Sequence, residues 1–135
     1  MPFIDTNVLI YAISPVEKER YKAQEARKIL RRDDLTLSVQ VLQEFYVQVT
    51  RPTRTDPLSH SEATALIGLW LRFPIVEMSV ALMQAALGFK ERHQISYWDA
   101  AILAAAASAR CAELYSEDLN AGQTYDGVRV VNPFS

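Results

Sequence analysis

The sequence predicts an α/β domain: a mostly parallel central sheet of about five strands flanked by helices. Three observations carry this. Short β-like runs recur along the chain, and each is followed by a helical pattern, the alternation that builds a parallel sheet. Half of the residues are hydrophobic and 22% are charged, the balance of a folded chain. No internal repeat, low-complexity tract or Gly/Ser linker divides it, and the six prolines fall at segment edges. Residues 1–135 therefore read as a single domain, long enough to bury a core without disulfides or a structural metal.

Taken in order, Phe3–Asp5 is the first strand. Ser14-Pro15-Val16-Glu17 combines a capping serine, proline at the first helical position and a third-position glutamate, predicting a helix from about Pro15 to Arg32. Leu35–Leu37 is the second strand. Ser38 then caps a helix with Val41, Leu42, Phe45 and Val49 on its apolar face, which Pro52 stops. Ser59 and Glu62 form a second capping box. Ile75–Glu77 is the third strand, and Ser79 caps the helix after it. Ser96-Tyr97-Trp98-Asp99 opens an alanine-rich helix ending near Arg110. Glu113–Tyr115 and Val128–Val131 complete the strands.

Composition excludes several classes of function. A single cysteine, Cys111, permits no internal disulfide, and with His60 and His93 alone beside it there is no zinc set, so any metal must be held by oxygen. Net charge of −2 and a pI near 5.7 give no global field for a polyanion. The bunch Lys18, Arg20, Lys22, Arg27, Lys28, Arg31 and Arg32 is interleaved with Glu17, Glu19 and Glu25 and reads as a solvated helix face. Arg51 and Arg54 follow another segment. "MPFIDTNVLI" lacks a basic leader, and the apolar run Ala100–Ala107 is too short to span a bilayer, so a soluble cytoplasmic protein without membrane contact is expected.

Three carboxylates sit among core-type neighbours. Asp5 ends the first strand in "FIDTNVLIYA", Glu44 lies in "VLQEFYV", and Asp99 in "SYWDAAIL". An unpartnered buried carboxylate costs several kcal/mol, so each needs compensation. Singly, each has an ordinary explanation: Asp5 caps a turn toward Val8–Tyr11, Asp99 favours the positive end of its helix, and Glu44 shares a polar stripe with Gln40, Gln43 and Gln48. Together they have another. Ligands of open α/β sheets gather beyond the carboxyl ends of the strands, where Asp5 and Tyr115–Asn120 must lie, and the helices bearing Glu44 and Asp99 can converge there. No Lys or Arg is adjacent to these acids in sequence. A divalent cation would relieve their repulsion, and oxygen-only ligation favours Mg²⁺ or Mn²⁺, ions suited to supplying hydroxide for in-line attack on phosphorus.

"IDTNVLIY", "SVQVLQEFY", "SYWDAAILAAA" and "LYSEDLNAG", in that order, resemble the PIN domain, and the closing "YDGVRVVNPF" resembles its bacterial toxin branch, the VapC type. The resemblance covers nearly the whole chain. It implies a PIN-like three-layer fold and an acidic tetrad at Asp5, Glu44, Asp99 and Asp118. Mg²⁺ or Mn²⁺ would be held chiefly by Asp5 and Asp99, with Thr6, Asn7 and Ser116 orienting these groups or waters. Glu117, beside Asp118, is the alternative fourth acid. It further implies an endoribonuclease acting on an RNA substrate as the toxin of a type II pair, a cognate antitoxin, a homodimer, and DNA contact only through the antitoxin. Two rival functions remain: a non-catalytic PIN-like module binding RNA or protein, and a small-molecule phosphohydrolase with an aspartate nucleophile. The second wants another acid two residues beyond the nucleophile, where this chain has Asn7.

Overall fold

A computed structural model describes all residues 1–135. It contains β1 (Phe3–Ile4), α1 (Thr6–Ala12), α2 (Arg20–Leu30), β2 (Leu37–Ser38), α3 (Val39–Val49), α4 (His60–Trp70) and β3 (Ile75–Val76). These are followed by α5 (Val80–His93), α6 (Tyr97–Ser108), β4 (Glu113–Tyr115), β5 (Thr124–Tyr125) and β6 (Val128–Val131). The fold is α/β with a mostly parallel sheet flanked by six helices, as the alternation of patterns predicts.

β1, β4, β6 and β5 pair in that order, while β2 and β3 form a separate parallel pair. The two groups meet at β1. Ile4 N–H donates to the Thr36 carbonyl and Thr36 N–H to that of Pro2, both at 3.0 Å, so Phe3 and Thr36 form a parallel bridge. β5 is the exception to the parallel rule. It pairs antiparallel with β6 across a turn in which Asp126 and Gly127 both have positive φ, of 48° and 88°. β5 is not among the expected strands, because its two residues lie in the polar, turn-prone stretch Asn120–Gly127 that carries no apolar run.

After Asp5 the sequence predicts only a cap and a turn, yet helix α1 follows it. Its apolar residues Val8, Leu9 and Ala12 are buried, but seven residues are too few for a clear helical period. The helix predicted from Pro15 is shorter than expected. A 3₁₀ turn occupies Glu17–Glu19 and the α-helix begins at Arg20. Ser14 Oγ accepts from Val16 N–H at 3.2 Å and donates to Glu19 at 2.5 Å, so Glu19 rather than Glu17 engages the serine and the expected capping box does not form. At Ser59 the box forms in full, with Glu62 N–H bonded to Ser59 Oγ and Ser59 N–H to the Glu62 carboxylate.

One contiguous core joins every layer, from Phe3, Ile4 and Val8 through Phe45 and Trp70 to Leu103, Leu114 and Val130. Its centre is α6, where every residue from Ala100 to Ala106 is buried. A helix enclosed all round needs small side chains wherever its backbone approaches neighbours closely, which is why alanines dominate. Its two ends escape, the first turn most usefully. Tyr97, Trp98 and Asp99 emerge from the core there, beside the carboxyl ends of β1 and β4.

Candidate active site

Beyond those strand ends lies a cleft of about 360 Å³ whose wall includes Asp5, Glu44, Asp99 and Asp118, with Thr6 and Asn7. Four separate elements supply the acids: the β1–α1 junction, α3, the first turn of α6 and the loop after β4. Asp5 is set by the sheet. Its N–H donates to the Tyr115 carbonyl at 3.1 Å, continuing the β1–β4 ladder one residue past the strand, and its side chain then caps α1 by accepting from Thr6 N–H at 2.7 Å. The cap proposed from sequence and the convergence on a common edge are thus both features of the same residue.

Asp5 is 7% exposed. Its other oxygen accepts from Ser116 Oγ at 2.7 Å and is reached by Asn7 Nδ2 at 3.4 Å. Burial nonetheless wins: desolvation raises its pKa from 3.8 to about 6, the donors Ser116 and Thr6 oppose the shift, and the charges of Asp118 and Glu44 add to it. Thr6 holds the second acid as well, donating from Oγ1 to Glu44 at 2.6 Å. Asn7 spans a third, with Nδ2 at 3.1 Å from Asp118 and 3.3 Å from Ser116 Oγ. Thr6, Asn7 and Ser116 therefore position carboxylates, and all of them were named from sequence. Asp99 differs. Its backbone N–H is capped by Ser96 Oγ at 3.1 Å, while its carboxylate is half-buried and faces the cleft without a protein donor.

The neighbouring acids of the last loop separate cleanly. Glu117 accepts from Lys22 Nζ and Tyr11 Oη, each at 2.5 Å. Burial pushes its pKa up, but these donors outweigh that and hold it below the ordinary glutamate value. Its charge is consequently matched within the chain, whereas Asp118 is exposed and faces Asn7. Geometry favours Asp118 as the acid left for a ligand.

Two contributors were not foreseen. Gln40, one turn before Glu44, donates to it at 3.3 Å and to the Trp98 carbonyl at 3.2 Å, tying α3 to the start of α6. Its place beside Glu44 on the polar stripe was visible, but its second partner, 58 residues away, was not. Arg54 also reaches the cleft wall, from the loop after α3, and its Nε is buried without a hydrogen-bond partner. The expectation that no protein cation attends the acids holds for sequence neighbours and fails in space, because the loop past Pro52 folds back. Arg54 makes no ion pair with any of them.

No three of the Asp, Glu, His or Cys side chains form a ready-made cage for an ion. The cleft still fits a hard divalent cation, since its donors are carboxylate and other oxygens and Mg²⁺ typically takes one or two carboxylates and retains water.

Residues 3–126 match the PIN domain family, and the chain belongs to it. No curated protein matches the sequence. Among solved structures, the chain is similar to a toxin–antitoxin complex from Klebsiella pneumoniae, with a TM-score of 0.74 at 20% identity, covering 99% of this chain and 98% of that one. It is similar to VapC20 of Mycobacterium tuberculosis, described as a toxin that cleaves the sarcin–ricin loop, with a TM-score of 0.71 at 18% identity, covering 96% and 99%. FitAcB of Neisseria gonorrhoeae aligns with a TM-score of 0.65 at 19% identity, covering 98% of both chains. At such identities these structures establish the fold.

The buried carboxylate makes a prediction about pH. Folded protein keeps the Asp5 proton up to about pH 6, while the unfolded chain releases it near the ordinary aspartate value of 3.8. Between these values the folded state binds more protons, so this group's contribution to stability is fully present below the lower value and is lost as pH rises through the upper one. Asp34, Glu62, Glu117 and Asp126, with lowered values, slope the other way. Urea melts of the parent and Asp5→Asn in EDTA isolate this contribution: the variant should gain on the parent by roughly 2 kcal/mol as pH rises across this window. A pH-independent difference would contradict the burial argument. A second prediction separates the adjacent acids. Asp118→Asn should weaken Mg²⁺-induced stabilisation in a melting assay, while Glu117→Gln, which leaves Lys22 unmatched, should lower stability with or without Mg²⁺.

Proposed function

We propose that the chain is a metal-dependent endoribonuclease acting as the toxin of a type II toxin–antitoxin pair. The single observation carrying this reading is the convergence of Asp5, Glu44, Asp99 and Asp118 from four elements onto one cleft of a PIN domain. Toxin–antitoxin proteins and a sarcin–ricin-loop-cleaving toxin among structures sharing the fold support the biological role. A cognate antitoxin is the corresponding partner, with operator DNA engaged through it, and a homodimer is the proposed assembly.

Asp5 and Asp99 would be the principal ligands of Mg²⁺ or Mn²⁺, with Glu44 and Asp118 completing the set. Bound there, the ion would neutralise charge at the phosphate and lower the pKa of the attacking water. The chain's own groups do the rest. Thr6 and Gln40 hold Glu44 by separate oxygens, leaving it oriented to accept a hydrogen bond from a water. Ser116, Asn7 and the Thr6 N–H hold Asp5 in one orientation, which reduces the reorganisation needed at the moment of reaction. Arg54 supplies a positive charge at the cleft wall that a phosphate oxygen can approach.

RNA cleavage by the purified chain should require Mg²⁺ or Mn²⁺, stop in EDTA and vanish in Asp5→Ala. Activity that survives complete chelation would remove the metal, and binding without cleavage would make the chain a non-catalytic module. Products should carry 5′-phosphate and 3′-hydroxyl ends, because water and not the ribose 2′-hydroxyl attacks; 2′,3′-cyclic phosphates would exclude this chemistry. Asp99→Asn supplies an independent check. It should lift the metal-free melting temperature, equivalent to about 1 kcal/mol from reduced repulsion, and respond to added Mg²⁺ much less than the parent.

A further inference from the structure

We infer that a groove adjoining the acidic cleft binds an unpaired nucleobase of the RNA, with the indole of Trp98 as its stacking platform. This subsite rests on the ribonuclease reading and deepens it. The groove, about 350 Å³, is lined by Gln43, Val47, Gln48, Arg51 and Trp98, and it shares Glu44, Gln48 and Trp98 with the cleft wall. Whatever lies across the acids continues directly into it.

Trp98 carries the argument. The other tryptophan, Trp70, is 5% exposed and stacks edge-on to Phe45 in the core, whereas Trp98 is 61% exposed at the mouth of the cleft. Its backbone is fixed all the same. Its backbone is part of the first turn of α6, its carbonyl is bonded to Gln40, and its ring meets Tyr97 edge-on at 5.0 Å. An exposed indole on a well-anchored backbone, one residue from a candidate metal ligand, is suited to stacking a base, and every base presents a π-face to it.

The remaining lining distinguishes a base from a bare phosphate. Gln43 and Gln48 each present an amide with donors and an acceptor, and neither uses it on another side chain. A phosphate needs donors only; a base edge offers both kinds of partner. Arg51, exposed at the far side, can meet the next phosphate, as Arg54 can on the cleft side. Long-range attraction cannot supply the affinity, because the chain carries a net charge of −2. Short-range stacking with a few local cations can. Since a base must leave its helix to stack here, the subsite selects single strands and loops over duplex.

The test uses the full chain, the parent with Trp98→Ala and Trp98→Phe, and a short single-stranded RNA alongside a duplex of the same sequence. Binding is followed in Ca²⁺ by anisotropy of labelled RNA and by tryptophan emission, where only Trp98 is exposed enough to be quenched. Single-stranded RNA should quench the parent, and Trp98→Ala should bind it about tenfold more weakly, while Trp98→Phe, which keeps an aromatic face, stays within about threefold. In Mg²⁺, Trp98→Ala should raise KM with little change in kcat. Melting curves confirm that the exposed substitution leaves the fold intact, and quenching of the unmodified parent needs no variant at all. Unquenched emission, unchanged affinity in Trp98→Ala, or equal quenching by duplex would overturn the subsite. Parent that cleaves RNA without quenching removes the subsite and keeps the nuclease; parent that is quenched without cleaving removes the nuclease and keeps the subsite; parent that neither binds nor cleaves removes both.

Discussion

Around the Asp5 carboxylate the fold and the site become one structure. Its backbone extends the pairing of β1 with β4, its Oδ1 caps α1, and its Oδ2 is held by Ser116 from the loop after β4. Sheet, helix and loop meet at a group 7% exposed, whose pKa stands near 6 because burial outweighs the donors around it. Burying a carboxylate by the first strand is unfavourable unless its hydrogen bonds are made, so the surroundings must be arranged in detail. Thr6 and Asn7 extend that arrangement to Glu44 and Asp118.

Charge at the cleft is divided unequally. Glu117 is matched by Lys22 and Tyr11, which tie α2 and α1 to the loop after β4. Asp99 has no protein donor, and Arg54 stands at the wall with its Nε unpartnered. Satisfied pairs thus brace the rim, while the groups facing the cavity retain capacity for a ligand. Such unmet capacity in a concave site is what distinguishes a binding arrangement from a structural ion-pair network.

Helix α6 links the core to this chemistry. Its alanines allow close approach on all sides, and its axis is set chiefly by its long packing against α5, with β4 and β6 against its other side. The first turn inherits that rigidity. Asp99 faces the acids and Trp98 the adjoining groove, and Gln40 pins the turn to α3. Placing such groups on a packed helix, not on a mobile loop, holds them with the precision that recognition requires.

Much of this was legible in the residues themselves. Recurrent strand and helix patterns defined the α/β class, Ser38, Ser59, Ser79 and Ser96 marked helix starts where side-chain caps are found, and misplaced carboxylates singled out Asp5, Glu44 and Asp99. These signals are local: periodicity, capping chemistry and the mismatch of a charge with its neighbours in the chain. Helix α1 escaped because it is too short to show a period, strand β5 because it lies in a polar, turn-prone stretch without an apolar run, and the 3₁₀ turn before α2 because Ser14 engages Glu19 rather than Glu17. Tertiary structure alone decided that Lys22 neutralises Glu117, that Gln40 reaches Trp98 and that Arg54 returns to the acids. Those partners lie 95 residues apart for Lys22 and Glu117 and 58 for Gln40 and Trp98, and no local pattern encodes a meeting produced by the closure of the whole sheet and its helices.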